Sequence, residues 1–222
     1  MVIGAPPKSY KSFLALNIGY DLAEGSDLFG IWPVHSASTV LVVEQEIGQY
    51  RLKERLAAIH GYRIGKLAPY NLYLASKDLR INLHTMMGLQ RLSKHIEEVK
   101  PHVVILDPLR KLHRKTEESS TEMVEVFGNL DEIQEKYDLS FIFVHHTTKR
   151  SEYRNPADAE SLRGSSEIFA DIDTAVMIEQ PVRNDRTILR LNFTLRSAQE
   201  PPPLMLQFNK NTLTFSRIEG GR

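Results

Sequence analysis

The chain has 222 residues, 41% of them hydrophobic and 25% charged, which suits one domain with a full-sized core. Lys plus Arg equal Asp plus Glu at 28 each, so total charge does not attract nucleic acid, and any such contact must come from local patches. Cysteine is absent, which excludes disulfides, a thiol nucleophile and thiolate metal sites; with no membrane-length apolar run and no signal peptide, a cytoplasmic location is the default.

The first element is a turn, Gly4-Ala5-Pro6-Pro7-Lys8-Ser9-Tyr10-Lys11-Ser12, running into the apolar segment Phe13 to Ala23. A turn that opens a buried helix with Lys-Ser has the layout of a phosphate-binding P-loop. In that layout Pro7, Lys8, Ser9, Tyr10, Lys11, Ser12 and Phe13 surround the phosphates, Lys11 reaches the outer ones, and the Ser12 hydroxyl holds Mg²⁺. The match departs from G-x-x-x-x-G-K-[ST]: Tyr10 stands at the second glycine and Ala5 at the first. Only Met1-Val2-Ile3 precedes the loop, so the first strand is expected to be clipped or to begin further upstream.

Strand and helix patterns then alternate, the signature of a parallel sheet flanked by helices. Ser38 to Glu44 reads as a strand buried on both faces. Gln49 to His60 reads as a helix ending at Gly61, and Asn71 to Ala75 as a short strand. Leu89, Leu92, Ile96 and Val99 mark one helical face, stopped by Pro101. His102 to Asp107 is the next buried strand, followed by a helix through Met123, Val126, Leu130, Ile133 and Tyr137. Ser140 to Val144 is the third. Residues 174–178, 186–195, 203–208 and 212–218 are strand-like with no helix between them, which predicts an antiparallel extension. Lys149 to Glu160 is a polar run expected to form a mobile loop, and Arg183-Asn184-Asp185 a hairpin turn.

Three strand ends carry candidate chemistry. Asp107 closes an apolar strand in the Walker B manner, within reach of the Mg²⁺ at Ser12. Glu44-Gln45-Glu46 brings a carboxylate to the same edge, where it can orient and deprotonate a water; which of Glu44 and Glu46 points inward depends on register. His145-His146 closes the third strand, and adjacent strand residues face opposite ways, so the pair is a poor joint metal site. One of them can instead touch the terminal phosphate. Two basic clusters, Arg110-Lys111-Leu112-His113-Arg114-Lys115 and Lys149-Arg150 with Arg154, are candidates for contact with nucleic-acid phosphates.

The order of these pieces, together with His-His-Thr-Thr-Lys at 145–149, Leu-Arg-Gly-Ser-Ser at 162–166 and Asp171-Ile172-Asp173, resembles the RecA-like ATPases of the AAA domain 25 group. That group includes plasmid-encoded hexameric helicases related to DnaB-type replicative helicases. The resemblance covers almost the whole chain. It implies one RecA-like ATPase domain over 1–222, with ATP and Mg²⁺ as cofactors, a ring of like subunits, and single-stranded DNA as partner. It places Lys11, Ser12 and Asp107 at phosphate and metal, Glu46 rather than Glu44 at the catalytic carboxylate, and His145 and His146 at the sensor. Arg163 falls in the lining of the central channel, and Arg196 near the late strand that supplies an arginine finger to the neighbouring subunit. Two expectations from other classes stay open: a nucleotide-switched regulatory protein with weak hydrolysis, favoured by Tyr10, and a nucleic-acid-binding module that uses no ATP.

Overall fold

A computed structural model of the chain describes residues 1–62, 70–112, 120–147 and 172–218. The expected loop at 149–160 and the 161–166 segment with Arg163 lie outside these residues, as do Arg114, Lys149 and Arg150.

The strands are β1 (Val2–Ala5), β2 (Val40–Glu44), β3 (Leu72–Ala75), β4 (Val103–Asp107), β5 (Ser140–His146), β6 (Thr174–Glu179), β7 (Ile188–Leu195), β8 (Leu204–Asn209) and β9 (Thr214–Arg217). They form one sheet in the order β3-β2-β4-β5-β1-β6-β7-β8-β9. The first six of these pair in parallel and the last three antiparallel. The antiparallel extension therefore starts one strand later than the sequence predicts. β6 lies parallel to β1, because residues 147–173 are long enough for the crossover that a parallel neighbour needs. β1, short as it is, sits between β5 and β6 and is buried throughout.

Helices cover both faces. α1 (Lys11–Glu24) and α2 (Gln49–Tyr62) pack where Ile3, Val42, Ile105 and Val144 point. α3 (Met86–Val99), α4 (Leu109–Leu112) and α5 (Ser120–Tyr137) cover the face of Val43, Leu106 and Phe143. α1 comes so close to the sheet that a Cβ on Gly19 would meet Ile105 Cδ1 at 2.9 Å, which is why glycine stands there. α3 begins at Met86, three residues before the expected Leu89. Thr85 starts it by accepting a hydrogen bond from Gly88 N at 3.1 Å. Among the described residues no helix is long and apolar enough to cross a membrane.

Candidate nucleotide site

β1, β2, β4 and β5 end at one edge of the sheet, and the candidate residues meet there. The turn between β1 and α1 holds two non-glycine residues in the left-handed region, Lys8 at φ 64° and Tyr10 at φ 61°. The second is the position where the P-loop pattern has glycine. Tyr10 fits because its ring leaves the loop and stacks on Phe208 of β8, 4.3 Å between centroids, with Phe13 and Phe215 close by. Packing compensates the backbone strain, which costs on the order of 1 kcal/mol. No side chain caps the first turn of α1, so its N–H groups remain available to an anion.

Lys11 is buried and its Nζ donates to Ala5 O at 2.8 Å and Pro6 O at 2.7 Å. Burial lowers its pKa to about 8, against the opposing pull of Asp107 and Glu46. Ser12 Oγ donates to Asp107 Oδ1 at 3.1 Å, joining α1 to the end of β4. Burial raises Asp107 to about 7 in spite of that bond, and Glu44 and Glu46 push it the same way. A hydroxyl and a carboxylate side by side suit Mg²⁺, a hard cation that takes few protein ligands beside phosphate oxygens and water. Among the described residues no group of three or more His, Asp or Glu could hold a metal by itself.

The two candidate carboxylates do different things. Glu44 pairs with Asp107 across β2 and β4 and is 3% exposed. Its Oε1 accepts from Glu46 N at 2.9 Å and its Oε2 from Ile47 N at 2.7 Å. Burial raises its pKa, opposed by those two N–H donors. Glu46 is exposed and lines a cavity of about 390 Å³ beside the turn.

That cavity is bounded on one side by Lys8 to Phe13 and on the other by Glu46, Arg55, His146 and Arg186. Of the residues expected around a phosphate, only Pro7 is not among its walls. The two histidines separate as strand alternation requires. His146 faces α1 and the cavity, while His145, level with Gly4, faces the other side. Burial lowers the pKa of His146; Lys11 and Arg110 add to this and Glu46 opposes it.

Two cations of the cavity were not among the sequence candidates. Arg55, on α2, lies with its guanidinium 4.6 Å from the Phe13 ring centroid. Arg186 comes from the turn before β7. The phase of α2 relative to Glu46 is a faint sequence signal for Arg55; Arg186 has none, because it depends on how β7 docks. Arg110 and Lys111 are exposed on α4, at the same sheet edge.

Arg196 is elsewhere. Gly4 is level with Met177 and Asn192, and Arg196 follows Asn192 by four residues (192 to 196) on an antiparallel strand. That places it on the order of 13 Å further along the strand direction, at the opposite edge from the P-loop of its own chain. There it pairs with Asp173 at 3.6 Å, and its N–H donates to Asp173 O at 2.9 Å.

Residues 1–152 match the family model of the AAA domain, AAA_25. The chain belongs to this family. Among solved structures this AAA domain resembles a separately solved ATPase domain, with a TM-score of 0.70 and 15% identity over 98% of this chain and 84% of that one. It also resembles a DnaB-like replicative helicase solved to describe its interactions with primase, with a TM-score of 0.71 and 16% identity over 98% of this chain and 58% of that one. At these identities the likeness establishes the fold, which is RecA-like. No curated protein matches the chain.

Proposed function

We propose that the chain is an ATP- and Mg²⁺-dependent ATPase whose turnover moves single-stranded DNA, acting as a ring or filament of like subunits. The observation that carries this reading is the contact of Ser12 with Asp107 at 3.1 Å, directly beside Lys11. Residues far apart in the chain thereby assemble the three groups that phosphoryl transfer needs at one sheet edge. Membership of the AAA domain family supports hydrolysis of ATP, and the helicase-like fold supports a motor.

In this reading Lys11 leaves the carbonyls of Ala5 and Pro6 and bonds the β- and γ-phosphates. Lys8, Arg55 and Arg186 add positive charge around the nucleotide. Ser12 and Asp107 would hold Mg²⁺, which when bound draws charge from the phosphate oxygens. Glu46 orients a water and takes its proton as the water oxygen bonds the γ-phosphorus and the bond to the β-phosphate oxygen breaks. His146, on the cavity wall, is the sensor of the terminal phosphate; His145 faces away and serves the other side of the sheet. Arg196 is too far from its own P-loop to act there, so its place is in the site of the neighbouring subunit. Arg110 and Lys111 are the described contacts for DNA phosphates, with Arg114, Lys149, Arg150 and Arg163 completing the set.

Two observations favour a second reading, a nucleotide-switched regulatory ATPase with weak hydrolysis and no unwinding. Tyr10 replaces the loop glycine, and Lys11 is folded onto its own loop. ATP hydrolysis measured with and without single-stranded DNA separates the two. The motor is expected to be stimulated at least about tenfold. Slow turnover indifferent to DNA would replace it with the switch.

A further inference from the structure

We propose that Glu44 is a positioning residue: its carboxylate clamps the turn that aims Glu46 into the cavity. The inference rests on the role of Glu46 proposed above.

Glu44 is the last residue of β2, and the chain must reverse within the next few residues to enter α2 at Gln49. Both oxygens of its carboxylate are engaged, one by Glu46 N at 2.9 Å and the other by Ile47 N at 2.7 Å. Gln45, between Glu44 and Glu46, is also held. Gln45 N donates to Asp107 O at 2.9 Å, and Gln45 Nε2 to Ser76 O at 3.3 Å. Three successive backbone N–H groups are therefore fixed, two by a single buried side chain. Hydrogen bonds to an ionised acceptor are about twice as strong as neutral ones. A shorter or apolar residue at 44 leaves the N–H groups of Glu46 and Ile47 without that acceptor, and the turn keeps only the anchors of Gln45.

The clamp also fits the assignment of the base to Glu46. Both oxygens of Glu44 accept from backbone amides of the turn, and Glu44 is not among the residues that line the cavity. Its exposed neighbour two residues on is the one at the cavity wall. Burying a carboxylate is costly unless its oxygens are hydrogen-bonded, and both oxygens of Glu44 are, to the backbone of this turn.

The test uses the full chain and compares two backgrounds. Glu44→Ala should lower kcat for ATP by about 30- to 100-fold, since a misplacement of about 1 Å at a reacting group costs that much. The KM for ATP and binding of a fluorescent ATP analogue should stay within about twofold. Glu44→Gln keeps one acceptor and should lose about fivefold. In a Glu46→Gln background, followed by single-turnover kinetics, either change should cost less than about threefold more, because groups that act through one another are not additive. Should Glu44→Ala not fold, Glu44→Gln carries the same comparison. Full kcat in the Glu44 variants, or an equal loss in both backgrounds, overturns the positioning role while leaving Glu46 as the base. A Glu46→Gln protein as active as wild type instead overturns the assignment of Glu46, and the positioning role with it.

Discussion

At the edge where β1, β2, β4 and β5 finish, three charged side chains, Lys11, Glu44 and Asp107, are each less than 5% exposed. Two residues of the adjoining turn, Lys8 and Tyr10, hold positive φ without being glycine. At the opposite edge Arg196 is half exposed and meets Asp173 in a loose ion pair of 3.6 Å. The same sheet thus buries Lys11, Glu44 and Asp107 at one end and leaves Arg196 and Asp173 in water at the other. Buried charge and left-handed backbone cost stability and persist where the surrounding structure has another use for them. An exposed pair is worth well under 1 kcal/mol and exchanges partners easily. In the proposed reading the first edge receives the nucleotide and the second meets the neighbouring subunit. The two halves of one hydrolytic site, on this account, lie at opposite ends of each subunit.

The largest effect belongs to the buried edge. Lys11→Ala should abolish detectable ATP hydrolysis in a coupled assay, because in the proposed reading it removes the charge that bonds the phosphates. The fold should survive, since the hydrogen bonds Lys11 makes are to the carbonyls of Ala5 and Pro6 beside it. Turnover at the wild-type rate would break the contrast by making the buried edge inert.

A smaller effect concerns the cost of burial. Burial raises Asp107 to about 7. Between the ordinary carboxylate pKa and about 7 the folded chain keeps a proton that the unfolded chain has released. Stability therefore falls as pH rises through that window and stays low above it. Asp107→Asn removes this loss. Without nucleotide or Mg²⁺ the variant should melt about 4 °C above wild type at pH 8, a gain on the order of 1–2 kcal/mol, and the difference should vanish toward pH 4. A variant that melts lower at pH 8 would mean that the carboxylate is stabilised where it lies, and that the two edges do not differ as described.

Much of this contrast was legible in the sequence, and the rest was not for definable reasons. The apolar runs Val40–Val43, Val103–Leu106 and Phe141–Val144 announce strands buried on both faces, and those strands bring Asp107 to the P-loop. Their ends are harder to read. Whether Glu44 or Glu46 enters the cavity depends on how the turn after β2 folds, and that is decided by hydrogen bonds within it. The choice between His145 and His146 depends on which face α1 covers. Thr85 extended α3 by a cap rather than by apolar periodicity. β6 turned out parallel to β1, and no residue pattern within β6 records that. Arg55 and Arg186 join the site through docking of α2 and β7, to which local pattern is blind.

The claim that most needs testing is that the two edges complete each other across subunits. Arg196→Ala protein keeps Lys11 and Glu46 intact, and Lys11→Ala protein keeps Arg196. Each should be inactive alone, since arginine fingers in phosphoryl-transfer enzymes are worth on the order of a thousandfold or more. Mixed together, some interfaces should combine an intact P-loop edge with an intact Arg196 edge, and partial ATPase activity should return, rising and falling with the mixing ratio. A mixture that co-assembles, as followed by a pull-down between differently tagged variants, and still hydrolyses no ATP would contradict the account.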